Sequence, residues 1–186
     1  DVADHVVSLL LHVARRMCEG DRFVRAGAWL DGPMGFGARV HGKKMGIVGL
    51  GHIGRAVGRR AEAFDLDVSY NGPRRKDDVS YRYYADLAEM AASVDIMAVT
   101  CGTALETHHI VDRRVLRALG GEGLLVNVAR RCVDQAALIA ALEDGVIAGA
   151  GVDVFESEPD LPDALLAMEN VVLTPHMAGA AFEAKQ

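Results

Sequence analysis

The spacing of apolar residues along the chain predicts alternating helices and strands. In residues 1–20, apolar side chains recur with the period of an amphipathic packing helix, which Gly20 is placed to end. Residues 21–42 are rich in glycine and predict an irregular linker. Short apolar, β-prone runs predict strands at 45–48, 68–70, 96–99, 124–128, 149–154 and 171–174. Helical patterns predict helices at 52–64, 83–92, 107–119 and 134–144.

This alternation is typical of an open, mostly parallel sheet with helices on both faces. We therefore predict an α/β, doubly wound, Rossmann-type fold. Residues 1–20 would form a linking helix, 21–42 a linker and 43–178 the core. Ligands of such sheets bind outside the carboxyl ends of the strands. The polar residues that follow the strands are therefore the candidates for a functional site.

The most informative stretch lies between the first core strand and the helix after it. There Gly49, Gly51 and Gly54 form G-x-G-x-x-G. The first glycine permits a tight turn, the second lets a pyrophosphate approach the backbone, and the third lets helix and strand pack closely. The helix N-terminus attracts phosphate charge. A purely structural glycine turn is the alternative, but the strand–loop–helix context favours a dinucleotide-binding loop.

The residues after the second core strand indicate which dinucleotide is bound. Where a NAD-specific protein usually carries an acid on the ribose 2′-hydroxyl, this chain has Asn71, followed by Arg74, Arg75 and Lys76. An acid would repel a 2′-phosphate, whereas cations would bind it. One charged hydrogen bond of about 1.5–3 kcal/mol gives roughly a tenfold to hundredfold preference. A solvated basic turn is the alternative; the sequence predicts NADP, with NAD as the second candidate.

Composition and charge narrow the class of protein. With 51% hydrophobic and 25% charged residues, the chain has an ordinary globular composition. Because its net charge is −6, we expect no general surface for nucleic acids or anionic membranes. No apolar run reaches transmembrane length, and no signal peptide is visible. The cysteines, Cys18, Cys101 and Cys132, lack the spacing of a metal site or disulfide framework. We therefore expect a cytoplasmic protein without a metal.

Three polar residues follow the last three predicted strands, namely Arg130, Glu158 and His176. The planar fork of an arginine suits a substrate carboxylate, and a histidine exchanges a proton with a carbonyl near neutral pH. A carboxylate beside that histidine would favour its protonated form and hold its orientation. The structural alternatives are a surface arginine, a Thr-Pro-His turn and one more acid in an acidic loop. The common position of Arg130, Glu158 and His176 after strand ends favours reduction of a 2-keto acid by a nicotinamide hydride.

Four motifs, taken in order, resemble one known family. They are V-G-L-G-H-I-G at 48–54, N-V-A-R at 127–130, G-V-D-V-F at 151–155 followed by E-P at 158–159, and N-V-V-L-T-P-H at 170–176. The chain resembles, over nearly its whole length, the cofactor-binding domain of the D-isomer-specific 2-hydroxyacid dehydrogenases. It is most similar to the branch of NADP-dependent glyoxylate/hydroxypyruvate and hydroxyphenylpyruvate reductases. The resemblance implies an oxidoreductase that reduces small 2-keto acids to D-2-hydroxy acids.

The resemblance also implies roles for individual residues. Arg130 would bind the substrate carboxylate and carbonyl, His176 would donate the proton, and Glu158 would be the partner of that histidine. Asp153 would hold the nicotinamide carboxamide. Taken together, the motifs and the resemblance give these candidate cofactor-binding residues: Gly49, Leu50, Gly51, His52, Ile53, Gly54, Asn71, Arg74, Arg75, Cys101, Thr107, Val128, Ala129, Arg130, Asp153, His176 and Ala178.

The sequence departs from the family pattern near the catalytic arginine. The family usually has Gly directly after it and one residue more before Val-Asp, whereas here Arg131 and Cys132 lead straight to Val133. A misplacement of about 1 Å can cost a hundredfold in rate. Pro73 stands where the NADP-specific branch often has Arg, and Ala178 where Gly is usual. These departures leave open a catalytically impaired sensor or interaction module with the same fold.

The resemblance further implies parts outside this sequence. The substrate domain of the family, which closes over the substrate, has no counterpart here, so we expect the 186 residues alone to turn over poorly. In the family the first helix and linker help to form a homodimer. Trp29 and Phe36 are the candidates for that contact.

Overall fold

A computed structural model of the chain describes residues 1–181. Its centre is a sheet of seven strands in the order β3-β2-β1-β4-β5-β6-β7, and every neighbouring pair is parallel. The strands are β1 Lys44–Val48, β2 Asp67–Asn71, β3 Arg82–Tyr84, β4 Ile96–Val99, β5 Leu124–Asn127, β6 Gly149–Val152 and β7 Val171–Leu173. The order of strands reverses between β1 and β4, which creates the crevice where such sheets bind ligands.

Helices cover both faces of the sheet, which confirms the doubly wound α/β fold. The helices are α1 Val2–Arg15, α2 Met17–Arg25, α3 His52–Glu62, α4 Leu87–Ala91, α5 Arg113–Leu119, α6 Gln135–Glu143 and α7 Asp163–Ala167, with short 3-10 turns at Ala28–Leu30 and Leu105–Thr107. One apolar core lies between the sheet and α1 and α3, and the other lies under α4, α5, α6 and α7. Strands β4, β5 and β6 are buried throughout, as expected for mostly apolar strands covered on both faces of a parallel sheet.

Helix α6 forms as its sequence predicts. The carboxylate of Asp134 accepts the Ala137 N–H at 2.9 Å and caps the helix, and Gly145 follows it with φ of 66°. In contrast, Gly20 does not end the first helix. The chain breaks at Arg16, which adopts the left-handed conformation, and α2 then continues through Gly20 to Arg25.

Two further boundaries differ from prediction. Residues 82–84 form the edge strand β3, so the helix predicted at 83–92 is confined to Leu87–Ala91. A strand of three residues is too short for its periodicity to be recognised, and its pairing with β2 decides its conformation. The helix predicted from residue 107 begins at Arg113, where the Asp112 carboxylate accepts the Val115 N–H at 3.0 Å. Helix α7 was not predicted.

Within residues 1–181, the helices are all too short or too polar to traverse a lipid bilayer.

Candidate active site

The glycine loop joins β1 to α3 at the switch point of the sheet. Gly49 has φ of 91°, and a Cβ there would lie 2.6 Å from Cys101 Cα. A Cβ on Gly54 would lie 2.3 Å from Gly49 O. The fold itself therefore requires these two glycines. Around Gly51, however, a Cβ would meet nothing within 4 Å. Its missing side chain leaves open space at the start of α3, which is where a pyrophosphate would approach the helix N-terminus.

A cleft of about 540 Å³ opens beside this loop. It is bounded by the loops after β1, β2 and β4 and has a size typical of ligand sites. Its lining residues are Gly49, Leu50, Gly51, Tyr70, Gly72, Pro73, Arg74, Lys76, Thr100, Cys101, Gly102 and Thr107. The residues present thus fit a dinucleotide: a glycine loop, a helix N-terminus and a basic edge meet in one cleft. His52 and Ile53 lie exposed in the first turn of α3.

The basic turn after β2 places its cations unequally. Arg74 and Lys76 line the cleft, whereas Arg75 is not part of its wall. The Lys76 N–H donates to the Tyr70 hydroxyl at 2.7 Å, which ties the turn to β2. Asn71 is buried, and its amide nitrogen donates to Tyr84 O at 2.9 Å and to Ala85 O at 3.2 Å. The Asn71 side chain therefore links β2 to β3. It is engaged within the protein, so Arg74 and Lys76, and not Asn71, are available to a ligand.

The opposite wall of the cleft is formed by the loop after β4. The Thr107 hydroxyl donates to Gly102 O at 2.7 Å and accepts the Ala104 N–H at 2.9 Å, so Thr107 orders this loop. Cys101 lines the cleft. A hydrogen bond with the Cys132 side chain, together with burial, raises the pKa of the Cys101 thiol well above its usual range. The Cys101 thiol is therefore neutral and weakly reactive, and this residue forms part of the cleft wall.

A second group of polar side chains lies at the ends of β5, β6 and β7. His176 Nδ1 lies 2.8 Å from Glu158 Oε2, and the other oxygen of that carboxylate accepts the Phe155 N–H at 3.0 Å. The hydrogen bond from His176, and then the one from Phe155, lower the pKa of Glu158. Arg130 Nη2 lies 3.5 Å from the same Nδ1. The structure thus brings the three predicted catalytic residues together.

The contacts of His176 decide which ring nitrogen is available. A carboxylate oxygen can only accept, so Nδ1 donates its proton to Glu158. Arg130 also carries only donors, and its approach to Nδ1 is therefore a close contact and not a second hydrogen bond. Nε2 of His176 is left to face a substrate. An apolar pocket of about 500 Å³ adjoins the pair, lined by Phe155, Glu158, Pro159, Leu161, Leu166, Leu173, Thr174, Pro175 and His176.

The short loop after Arg130 keeps this arrangement through an unusual backbone. Arg131 adopts φ of 58°, the left-handed region that favours glycine, at a cost of about 1–2 kcal/mol. Hydrogen bonds from neighbouring backbone hold the loop: the His109 N–H donates to Arg131 O at 2.8 Å and the Val111 N–H donates to Cys132 O at 2.9 Å. The missing residue therefore does not separate Arg130 from His176.

Asp153 lies where β6 ends and is completely buried. One carboxylate oxygen accepts the Thr174 hydroxyl at 2.6 Å and the Met177 N–H at 2.9 Å, and the other accepts the Ala178 N–H at 2.9 Å. These contacts go to the loop that follows β7. Asp153 thus anchors the segment that carries His176, and its complete burial leaves no exposed carboxylate surface for the nicotinamide contact that the family resemblance implies.

Two functional positions were missed by sequence reasoning. Buried Asn127 donates to Val154 O at 3.1 Å and accepts the Ala129 N–H at 3.0 Å, which orders the turn through Val128 to Arg130. The Thr100 hydroxyl lies 2.8 Å from Gly49 O, to which it donates, and so supports the glycine loop. Both are polar residues at the ends of apolar strands, and that position is a signal that the sequence carries.

Among the described residues 1–181, no three His, Cys, Asp or Glu side chains are grouped so as to hold a metal ion.

Comparison with known proteins agrees with this geometry. The family model described as D-isomer specific 2-hydroxyacid dehydrogenase, NAD binding domain, matches residues 7–178. The hydroxyphenylpyruvate reductase of Plectranthus scutellarioides is 46% identical, with all of this chain and 60% of that protein covered. A glyoxylate/hydroxypyruvate reductase of Arabidopsis thaliana is 45% identical, with all of this chain and 59% of that protein covered.

A solved structure extends the comparison. The NADPH-dependent glyoxylate/hydroxypyruvate reductase of Sinorhizobium meliloti, crystallised with NADP and malonate, has a TM-score of 0.94 and 41% identity, with 99% of this chain and 59% of that chain covered. The chain thus spans about three fifths of the length of these relatives. A glycine loop at the switch point, a histidine–glutamate pair at the same sheet edge and a family match over residues 7–178 lead to one conclusion. The chain belongs to the D-isomer-specific 2-hydroxyacid dehydrogenases and is an NAD-binding domain of that family.

Proposed function

We propose that the protein containing this chain reduces small 2-keto acids, such as glyoxylate and hydroxypyruvate, to D-2-hydroxy acids with NADPH. The observation that carries the proposal is the placement of His176 Nδ1 at 2.8 Å from Glu158, with Arg130 beside it, at the carboxyl edge of the sheet. The nucleotide cleft opens at the same edge. A site of this kind needs a substrate anchor, a proton donor and a cofactor side by side.

Arg130, His176 and Glu158 each have a separate role in the proposed reaction. The guanidinium fork of Arg130 binds the substrate carboxylate and so holds the adjacent carbonyl near His176. Because Nδ1 of that histidine is held by Glu158, the protonated Nε2 donates to the carbonyl oxygen. The reduced nicotinamide, when bound, supplies the hydride to the carbonyl carbon. Glu158 fixes the orientation of the ring throughout.

The preference for NADPH rests on the basic edge of the cleft. Arg74 and Lys76 line it, and no acidic residue is among the cleft residues described. The Sinorhizobium reductase, with 41% identity, was crystallised with NADP. We assign the 2′-phosphate to Arg74 and Lys76, with Arg75 at the periphery.

The exposed surface of the first 36 residues supports a homodimer. Helix α2 buries none of its nine residues. Large apolar side chains project from this region, with Phe36 99%, Leu30 93% and Trp29 67% exposed. Exposed apolar residues grouped in this way mark an interaction surface. Sedimentation of the full-length protein, with Trp29→Ser and Phe36→Ser as the variants expected to give monomers, tests this contact.

We also propose a reducing, cytoplasmic location. Cys18, Cys101 and Cys132 are all free thiols, as is usual in that compartment.

Oxidation of NADPH by the full-length protein, with glyoxylate and hydroxypyruvate as substrates, tests the activity. The expected result is turnover with both, and a preference for NADPH over NADH. Saturable NADPH binding without turnover would favour a sensor or interaction module instead. The contact of Arg130 with His176, kept despite the short loop, argues against that alternative.

A further inference from the structure

The loop that carries His176 has a backbone that needs support. His176 itself adopts φ of 50°, in the left-handed region. The two N–H groups that follow it, from Met177 and Ala178, both point to the carboxylate of Asp153, each at 2.9 Å. Consecutive N–H groups beside a left-handed residue form a concave anion site. In this chain Asp153 fills that site from β6 and so fixes the direction in which the His176 side chain leaves the loop.

The carboxylate is connected further, to the first helix. The Thr174 hydroxyl lies 2.6 Å from Asp153 Oδ1 and 2.9 Å from His5 Nε2. A hydroxyl has one proton, and a carboxylate oxygen can only accept, so Thr174 donates to Asp153. His5 Nε2 must then be the donor toward Thr174. The same nitrogen lies 3.4 Å from Asp153 Oδ1, which fixes the proton of the imidazole on Nε2.

The position of His5 is set by close packing of α1 on the sheet. A Cβ on Gly151 of β6 would lie 2.9 Å from Leu9 Cβ, so the absence of a side chain there lets the helix approach closely. Leu9 and Val6 are buried against the sheet, and His5 lies on the same side with a side chain only 17% exposed. The helix thus holds an imidazole over the ends of β6 and β7 with little freedom to move.

We propose that His5 is a positioning residue for the proton donor. Through Thr174 and Asp153 it fixes the segment 174–178, so that His176 meets Glu158 with Nε2 directed at the substrate. His5 acts on the loop and does not itself take part in proton transfer. The catalytic consequence of this inference rests on the proposed reductase activity, whereas the structural link stands by itself.

Kinetics of the full-length protein test the catalytic consequence. His5→Leu removes the donor, and we expect kcat to fall about tenfold while the KM for NADPH changes by less than about twofold, since the loop is displaced and the cofactor cleft is not. His5→Gln keeps an N–H donor and should recover most of the loss. The matched control is His12→Leu on the same helix, because the ring of His12 bonds only locally, to Ser8 O at 2.7 Å. Its kcat should equal that of the wild type.

Hydrogen–deuterium exchange over residues 174–178 tests the link without any turnover. We expect faster exchange of the Met177 and Ala178 amides in His5→Leu, and wild-type exchange in His12→Leu. If His5→Leu does not fold, Thr174→Val breaks the same link from the loop, and Thr174→Ser keeps it.

These readouts separate the two proposals. A wild-type protein that fails to reduce any 2-keto acid would contradict the proposed function, yet faster exchange in His5→Leu would still support the anchor. Unchanged exchange together with unchanged kcat in His5→Leu would overturn the inference. An equal loss in His12→Leu would overturn it as well, because the effect would then come from a weakened helix.

Discussion

The two ends of the site are held in different ways. At the nucleotide end, three glycines within six residues shape the loop, and two of them are required by contacts with backbone atoms nearby. At the other end, which holds the proposed proton donor, His176 and its neighbour Thr174 contact side chains from β6, from the loop after β6 and from α1. The loop at the first end is specified by a short sequence, and Thr100 and Cys101, which follow β4, pack against it. The second is an assembly of distant residues, so a change far along the chain can disturb it.

The largest effect on kcat is expected for a change of His176, and it distinguishes catalysis from cofactor binding. His176→Gln removes the proposed proton donor, and kcat of the full-length protein should fall about 10²- to 10⁴-fold. The Kd for NADPH, measured by nicotinamide fluorescence, should change much less than kcat, because the glycine loop and the basic edge of the cleft are intact. His41→Gln, which alters an exposed histidine, is the control. A loss of NADPH binding in His176→Gln would show that the two ends are one unit.

Two glycine variants separate the structural role of the glycine loop from its role in binding phosphate. Gly54→Ala drives a Cβ against Gly49 O, and overpacking of this kind costs about 1–3 kcal/mol of stability. Gly51→Ala meets nothing within 4 Å, so its stability should match the wild type while its NADPH affinity falls. Thermal unfolding without cofactor and fluorescence titration distinguish the two. Full affinity in Gly51→Ala would mean that no phosphate approaches this residue.

A smaller effect is expected at the basic edge of the cleft. Arg74→Ala should weaken NADPH binding roughly tenfold to a hundredfold, with NADH binding unchanged, because only the 2′-phosphate is lost as a partner. Arg75→Ala is the matched control, since Arg75 does not line the cleft. The measurement is the ratio of the two Kd values. Equal effects of both variants would mean that the turn acts only as a diffuse positive charge.

The smallest effect concerns the pH dependence of stability at the proton-donor end. The pKa of Glu158 is lowered from 4.5 by the hydrogen bonds from His176 and the Phe155 N–H. The unfolded chain therefore binds more protons there, and the stabilisation is fully present above about pH 4.5 and lost as the pH falls through the folded pKa. The difference in unfolding free energy between the wild type and Glu158→Gln should shrink over that range. Glu122→Gln, in the turn before β5, should show no such change.

Much of the fold could be predicted because it is encoded in local patterns. The runs of β4, β5 and β6 are mostly apolar and buried at every position, and the Asp134 cap lies next to the helix that it starts. Errors occurred where local signals are weak. Strand β3 has three residues, and Arg16 breaks the first helix although nothing in its residue type requires a left-handed backbone. Pairing with β2 decides the conformation of β3, whereas nothing in the structure explains the break at Arg16.

The candidate site likewise contains features that local sequence patterns predict and features that depend on tertiary contacts. The sequence by itself determined the dinucleotide loop and the choice of Arg130, Glu158 and His176 as candidates, because each follows a strand that its own residues define. Only the tertiary structure decided that Lys76 lines the cleft in place of Arg75 and that Asp153 anchors the His176 loop. It alone joined His5 to Thr174, 169 positions apart. Contacts between residues so distant depend on how α1 packs on the sheet, and no local pattern in the chain records that packing.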